Sequence, residues 1–104
     1  MNSLGEKYLE EGKRFFVNQD YVKARESFKK AADLEIPAAQ FYYGVMVFKG
    51  IGGEEDIDKG IESIADAKYN GFREADEYLY NLRRKAEARL SKLEGPSLWF
   101  KIPR

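Results

Sequence analysis

The 104-residue chain contains neither cysteine nor histidine. That removes disulfides, thiolate nucleophiles, and the commonest general base and metal ligand. The residues left that could do chemistry are few. Gly50-Ile51-Gly52-Gly53 has the glycine density of a phosphate-cradling loop. However, no Lys-Ser/Thr follows it, no strand-like stretch precedes it, and Glu54, Glu55 and Asp56 would repel a phosphate. Those acids and Asp58 could attract calcium, but the spacing and terminal glutamate of an EF-hand loop are missing. They suit a solvated loop in which Asp56 caps the next helix. Glu10 and Glu11 could formally act as a carboxylate pair, yet they fall on an exposed helix face with no evident pocket. No catalytic residue, metal site or cofactor is expected.

The cations are unevenly placed. Residues 80–104 hold Arg83, Arg84, Lys85, Arg89, Lys92, Lys101 and Arg104 against two acids, a net of +5, which leaves −5 on residues 1–79. Such a split suits either a solvated helix face or a basic docking end for an acidic partner. The formal net charge is zero, which argues against a general nucleic-acid binder. Any contact of the basic cluster with DNA or RNA would weaken steeply with salt.

These residues need elements to position them. Hydrophobic residues make up 43% and aromatics 14% of the chain, enough for the core of one small domain over 1–104. No apolar run approaches the roughly 20 residues of a membrane span. The opening "MNSLGEKYLEEGKRFF" is acidic and amphipathic rather than signal-like, so the cytoplasm is the expected location.

Ser3 and Glu6 fit a capping box, which predicts a first helix from about residue 4. Tyr8, Leu9, Phe15 and Phe16 follow at helical spacing. "NQD" at 18–20 is a turn, with Asp20 as the N-cap of a second helix whose small face is Val22, Ala24, Phe28, Ala31 and Ala32. Pro37 suits the first turn of a third helix. Ile57, Ile61, Ile64 and Ala65 give a fourth helix its stripe, and "YNG" at 69–71 supplies a glycine C-cap. A fifth helix is predicted from about Phe72 to Glu94, with Leu79, Leu82, Ala86, Leu90 and Leu93 on its buried side. Gly95-Pro96 stops it. The apolar "SLWFKIPR" follows, and no strand-like alternation is present.

The third helix, within "AAQFYYGVMVFKG" (38–50), is apolar nearly all round. In a chain of this kind it must be enclosed by other helices. Gly44 costs its interior roughly 1 kcal/mol against alanine, which is reasonable if it lets a neighbouring helix come close. Phe15 and Phe16 point about 100° apart, as do Tyr42 and its neighbours, so one simple helix contact cannot bury all these rings. Contiguous exposed apolar surface marks an interaction site.

Self-comparison shows a repeat. Asp20, Lys23, Phe28, Ala31 and Ala39 recur as Asp56, Lys59, Ile64, Ala67 and Ala75, offset by 36. Tyr8-x2-Glu11-Gly12-x2-Phe15 and Ala24-x3-Phe28-x2-Ala31 resemble a tetratricopeptide repeat over 4–36. Ala39-x3-Tyr43-Gly44, Gly50-x-Gly52, Asp56, Lys59-Gly60, Ala67, Gly71 and Ala75 resemble the Sel-one-like variant over 37–71, which has the longer glycine-rich hairpin. Glu11, Gly60 and Tyr80 depart from the family's usual leucine, alanine and glycine, so the end helices are atypical caps. The resemblance implies an all-α fold: two stacked antiparallel hairpins, a capping helix over 72–94 and an apolar tail over 95–104.

It also implies a concave surface lined by the first helix of each hairpin, a protein-binding role and no enzymatic activity. Position by position, the inward residues would be Leu9, Lys13 and Phe16, then Phe41, Val45, Phe48 and Lys49, then Asn81, Arg84 and Lys85. Aromatic patches beside basic side chains suit a peptide with an acidic or free carboxylate end; the competing reading places the rings in the core. Trp99 and Phe100 of the tail either pack back on the stack, dock on a partner, or exchange between two copies in a homodimer. The function this supports is an adaptor. The alternative is a small inhibitor, of the immunity or anti-defence kind, that blocks one enzyme.

Overall fold

The computed structural model describes residues 3–94, and side chains over 4–91. The predicted tail, with Trp99 and Phe100, lies outside the described residues. Five helices run in order: α1 Ser3–Val17, α2 Tyr21–Asp33, α3 Pro37–Lys49, α4 Ile57–Tyr69 and α5 Arg73–Glu94. Helices α1 and α2 form one hairpin and α3 and α4 a second, with α3 also against α2 and α5 against α4. The radius of gyration is 16.7 Å, against about 13 Å for a compact chain of this length. The arrangement is an open stack rather than a closed bundle.

The repeat offset translates into equivalent places. Asp20 and Asp56 both cap: their Oδ1 atoms accept from the amides of Lys23 at 3.4 Å and Lys59 at 3.0 Å. Phe28 and Ile64, Ala31 and Ala67, and Ala39 and Ala75 are all buried. Each second helix sets its large residue onto a glycine of the first. A Cβ on Gly12 would lie 2.6 Å from the Phe28 ring, and one on Gly44 2.7 Å from Ile64 Cγ1. The first two links between helices carry no glycine; Gln19 and Glu35 take the left-handed conformation there, at φ 63° and 61°.

The glycine-rich loop is built for packing. Arg25 on α2 reaches into it, Nη1 donating to the Ile51 carbonyl at 3.3 Å and Nη2 to the Glu54 carbonyl at 3.0 Å. Gly52, at φ 75°, passes so near the Tyr21 carbonyl that a Cβ would collide with it. The loop is thereby tied against the start of α2. Helices α3 and α4 are joined further by buried Gln40. Its Oε1 accepts from Asn70 Nδ2 at 2.9 Å, and its carbonyl accepts from Ser63 Oγ at 2.8 Å.

Three predicted stripes are only partly buried. Val22 is exposed, because α2 turns Ala24, Phe28 and Ala31 inward and Val22 away. On α4 only Ile64 of the apolar stripe is buried; Ile57, Ile61 and Ala65 are exposed. On α5, Ala75 is buried and Leu79 and Leu82 are half-buried, but every side chain from Arg83 to Leu90 is exposed. The reason is length. Helix α4 has 13 residues and α5 has 22, so α5 outruns its support by roughly 13 Å at 1.5 Å per residue, and Ala86 and Leu90 fall on that overhang. Leu93 lies outside the described side chains.

The tightest contact is between α3 and α4. A Cβ on Gly60 would lie 2.6 Å from the Phe48 amide nitrogen and 2.7 Å from the Gly44 carbonyl oxygen. Both are backbone atoms and cannot swing aside. Gly60→Ala gains about 1 kcal/mol of helix propensity but overpacks the crossing at a typical cost of about 1–3 kcal/mol. We expect a net loss of about 1 kcal/mol, read as a lowered urea midpoint with an unchanged slope.

Candidate functional site

The site is an apolar groove of about 340 Å³ between the end of α1, the outward side of α3 and the start of α5. Helix α1 contributes Lys13, Phe16 and Val17. Helix α3 contributes Phe41, Tyr42, Val45 and Met46. Phe28, Ile51 and Tyr78 complete the lining. All but Lys13 are apolar or aromatic.

The rings support one another. Phe41 lies 5.4 Å from Phe72 and, edge-on, 5.6 Å from Tyr78. Tyr42 lies 5.3 Å from Phe28. Such pairs add about 0.5–1.5 kcal/mol each beyond burial, so the rings of the groove floor brace one another. Phe16 stands differently: its ring is 40% exposed and meets Tyr21 edge-on at 5.1 Å. Of the neighbouring rings in α1, then, Phe15 joins the core and Phe16 faces solvent. Lys13 pairs with Glu10 at 3.4 Å on the open surface, an interaction worth about 0–1 kcal/mol, so it is readily given up to another acid.

Of the residues singled out from the sequence, Lys13, Phe16, Phe41 and Val45 line the groove together. Leu9 is not with them. It lies on their stripe but is buried in the cluster with Phe28, Ile36, Ala39 and Tyr43, whereas Phe16, two turns on at the end of α1, is exposed. Phe48 is half-buried with its ring edge-on to Tyr78 at 6.4 Å, and Lys49 is exposed at the end of α3; neither lines the groove. Asn81, Arg84 and Lys85 are exposed along α5 and border shallow clefts of that helix instead.

Sequence reasoning missed Val17, Phe28, Tyr42, Met46, Ile51 and Tyr78 as lining residues. Tyr78 had a signal: it lies three residues before Asn81 and seven before Lys85, on the same helix face. The acidic loop forms no cluster fit for a metal ion among the described residues; Asp56 is engaged as a cap. No helix among the described residues is long and apolar enough to cross a membrane.

An open stack of helical hairpins with an aromatic inner wall defines an α-helical repeat protein. The sequence model of the Sel1 repeat matches residues 1–35 and 37–62, more than half of the chain, and the protein belongs to the Sel1 repeat family. One match falls on each hairpin, including the first, whose spacing resembles the tetratricopeptide pattern. Sel1 repeats are a non-enzymatic fold that in general mediates protein–protein interaction. None of the curated proteins matches the chain.

Burial raises the Tyr78 phenol above its ordinary pKa of 10.0. The folded state holds that proton more tightly than the unfolded one, so the associated stability is present at neutral pH and is lost as pH rises beyond 10. Tyr78→Phe is expected to shallow the alkaline decline in stability, measured by urea unfolding at a series of pH values.

Proposed function

We infer that this protein is a non-enzymatic interaction module that takes an apolar segment of a partner protein into the groove. The observation that carries the reading is an aromatic wall that, among the described residues, is left open to solvent, with Lys13 as the one charged residue of its lining. A hydrophobic side chain seated on Phe41 and Val45 would leave Lys13 to pair with a neighbouring acidic residue or chain-terminal carboxylate. The wall extends along α5: Lys85 lies about 20° in angle and roughly 10 Å in rise from Tyr78, within reach of about three further residues of an extended ligand. Arg84 points about 120° away from Tyr78 and takes no part.

The test is selection of displayed random peptides with free C-termini on the full chain. Enrichment of sequences that place an aromatic or branched apolar residue beside an acid or the terminal carboxylate is expected. Phe16→Asp, at an exposed position, should weaken the selected peptides by about tenfold or more, the scale of a hot-spot residue, with the helical circular-dichroism signal retained. Failure to enrich any such class, or equal binding by Phe16→Asp, would remove the groove as the site.

A further inference from the structure

Two exposed helix faces outside the groove are complementary. On α4, Ile57, Ile61 and Ala65 recur every four residues and stay exposed, Ile57 at 50% and Ile61 at 38%. Asp58, Glu62 and Asp66, also exposed, run along one edge of that stripe. On α5, Leu82, Ala86 and Leu90 likewise recur every four residues; Leu82 is half-buried, Ala86 exposed, and Leu90 49% exposed. Lys85 and Arg89 run along its edge. Each face thus pairs an apolar stripe with a charged edge, and these two edges are opposite in charge; Lys68, on the α4 stripe, is paired with Asp76, and Glu87, beyond the other edge of the α5 stripe, with Arg83. The distal half of α5 is unsupported by α4, for the reason of length given above.

We propose that this overhang of α5 docks on α4 of a second copy, and that the relation is mutual, giving a two-fold dimer. One chain carries both halves of the match; a pair in which each overhang meets the other copy's α4 uses both contacts and closes by a two-fold axis, whereas one contact per pair would propagate head to tail. Apolar stripe meets apolar stripe, and Lys85 and Arg89 of one copy face Glu62 and Asp66 of the other. The charge split between the two parts of the chain then serves self-recognition. Head-to-tail growth is avoided because both contacts are used within the pair. The groove lining itself is not involved, although Lys85 is shared with the extension of the wall along α5, so Phe16→Asp tests the peptide site and Leu90→Asp the dimer.

The experiment uses two charge-reversed full-length chains, one with Lys85→Glu and Arg89→Glu, the other with Glu62→Lys and Asp66→Lys. Wild-type protein should be a dimer by sedimentation equilibrium, loosened by added salt. Each reversed chain alone should be at least tenfold weaker in self-association, since both of its contacts become like-charged. Mixing the two should restore a dimer, because the mixed pair has opposite charges at both contacts. Leu90→Asp, on the solvent-facing stripe, should also weaken the dimer by about tenfold with helicity retained. A wild-type chain that stays monomeric at about 1 mM, the weak end of specific association, would overturn the proposal. So would a mixture that fails to re-form dimers, or a dimer indifferent to these changes and dissociated instead by Phe16→Asp.

Discussion

The close crossing of α3 and α4 at Gly44 and Gly60 is the constraint on which the rest of the molecule depends. A Cβ on either glycine would fall within 3 Å of the other's helix backbone, nearer than real side chains come. Removing both side chains lets two helices approach until Ile64 covers Gly44 and Gln40 meets Ser63 and Asn70. Two helical glycines cost propensity of roughly 1 kcal/mol each, so the crossing must return more than that through packing and through the satisfied buried amide of Gln40. The first hairpin uses a looser form of the same device, with a single glycine under the Phe28 ring.

That crossing decides how the unusually apolar α3 is used. Its Ala39, Tyr43, Met46 and Val47 are buried, while Phe41, Tyr42 and Val45 remain half-buried along the groove. The helix is therefore enclosed on most of its circumference, but not all of it. With α4 drawn tightly to one side and α2 on another, the remaining side is flanked, among the described residues, by α1 and α5. Their near ends stand apart, and the space between them is the groove. The rings that wall the groove also contact α5 and its approach through Tyr78 and Phe72.

Helix α5 has two characters along its length. Its first turns finish the hydrophobic core with Ala75 and Leu79. Its later turns leave α4 behind and present a basic, partly apolar surface. Tyr80, which stands 36 residues after Gly44, is 60% exposed, and a ring in that place bars the close helix approach that Gly44 permits. A helix approaching Tyr80 as closely as α4 approaches Gly44 would meet that ring, and among the described residues the charged overhang stays exposed.

Periodic features were legible in the sequence because they report local physics. Helix starts at Asp20, Pro37 and Asp56, the offset of 36, and the need for a close neighbour at Gly44 all follow from capping, backbone sterics and 3.6-residue repetition, which hold whatever surrounds the helix. Part of the groove was legible for the same reason: Lys13, Phe16, Phe41 and Val45 share faces that the repeat aligns. What the tertiary structure alone decided was how far along each stripe burial extends. Leu9 and Phe16 occupy one stripe, yet one is core and the other surface; Leu79 and Leu90 divide in the same way, and Tyr78 joins the groove while Lys85 runs past it. Angle around a helix is set by residue spacing, but coverage along it depends on where neighbouring helices begin and end, and no local pattern carries that information.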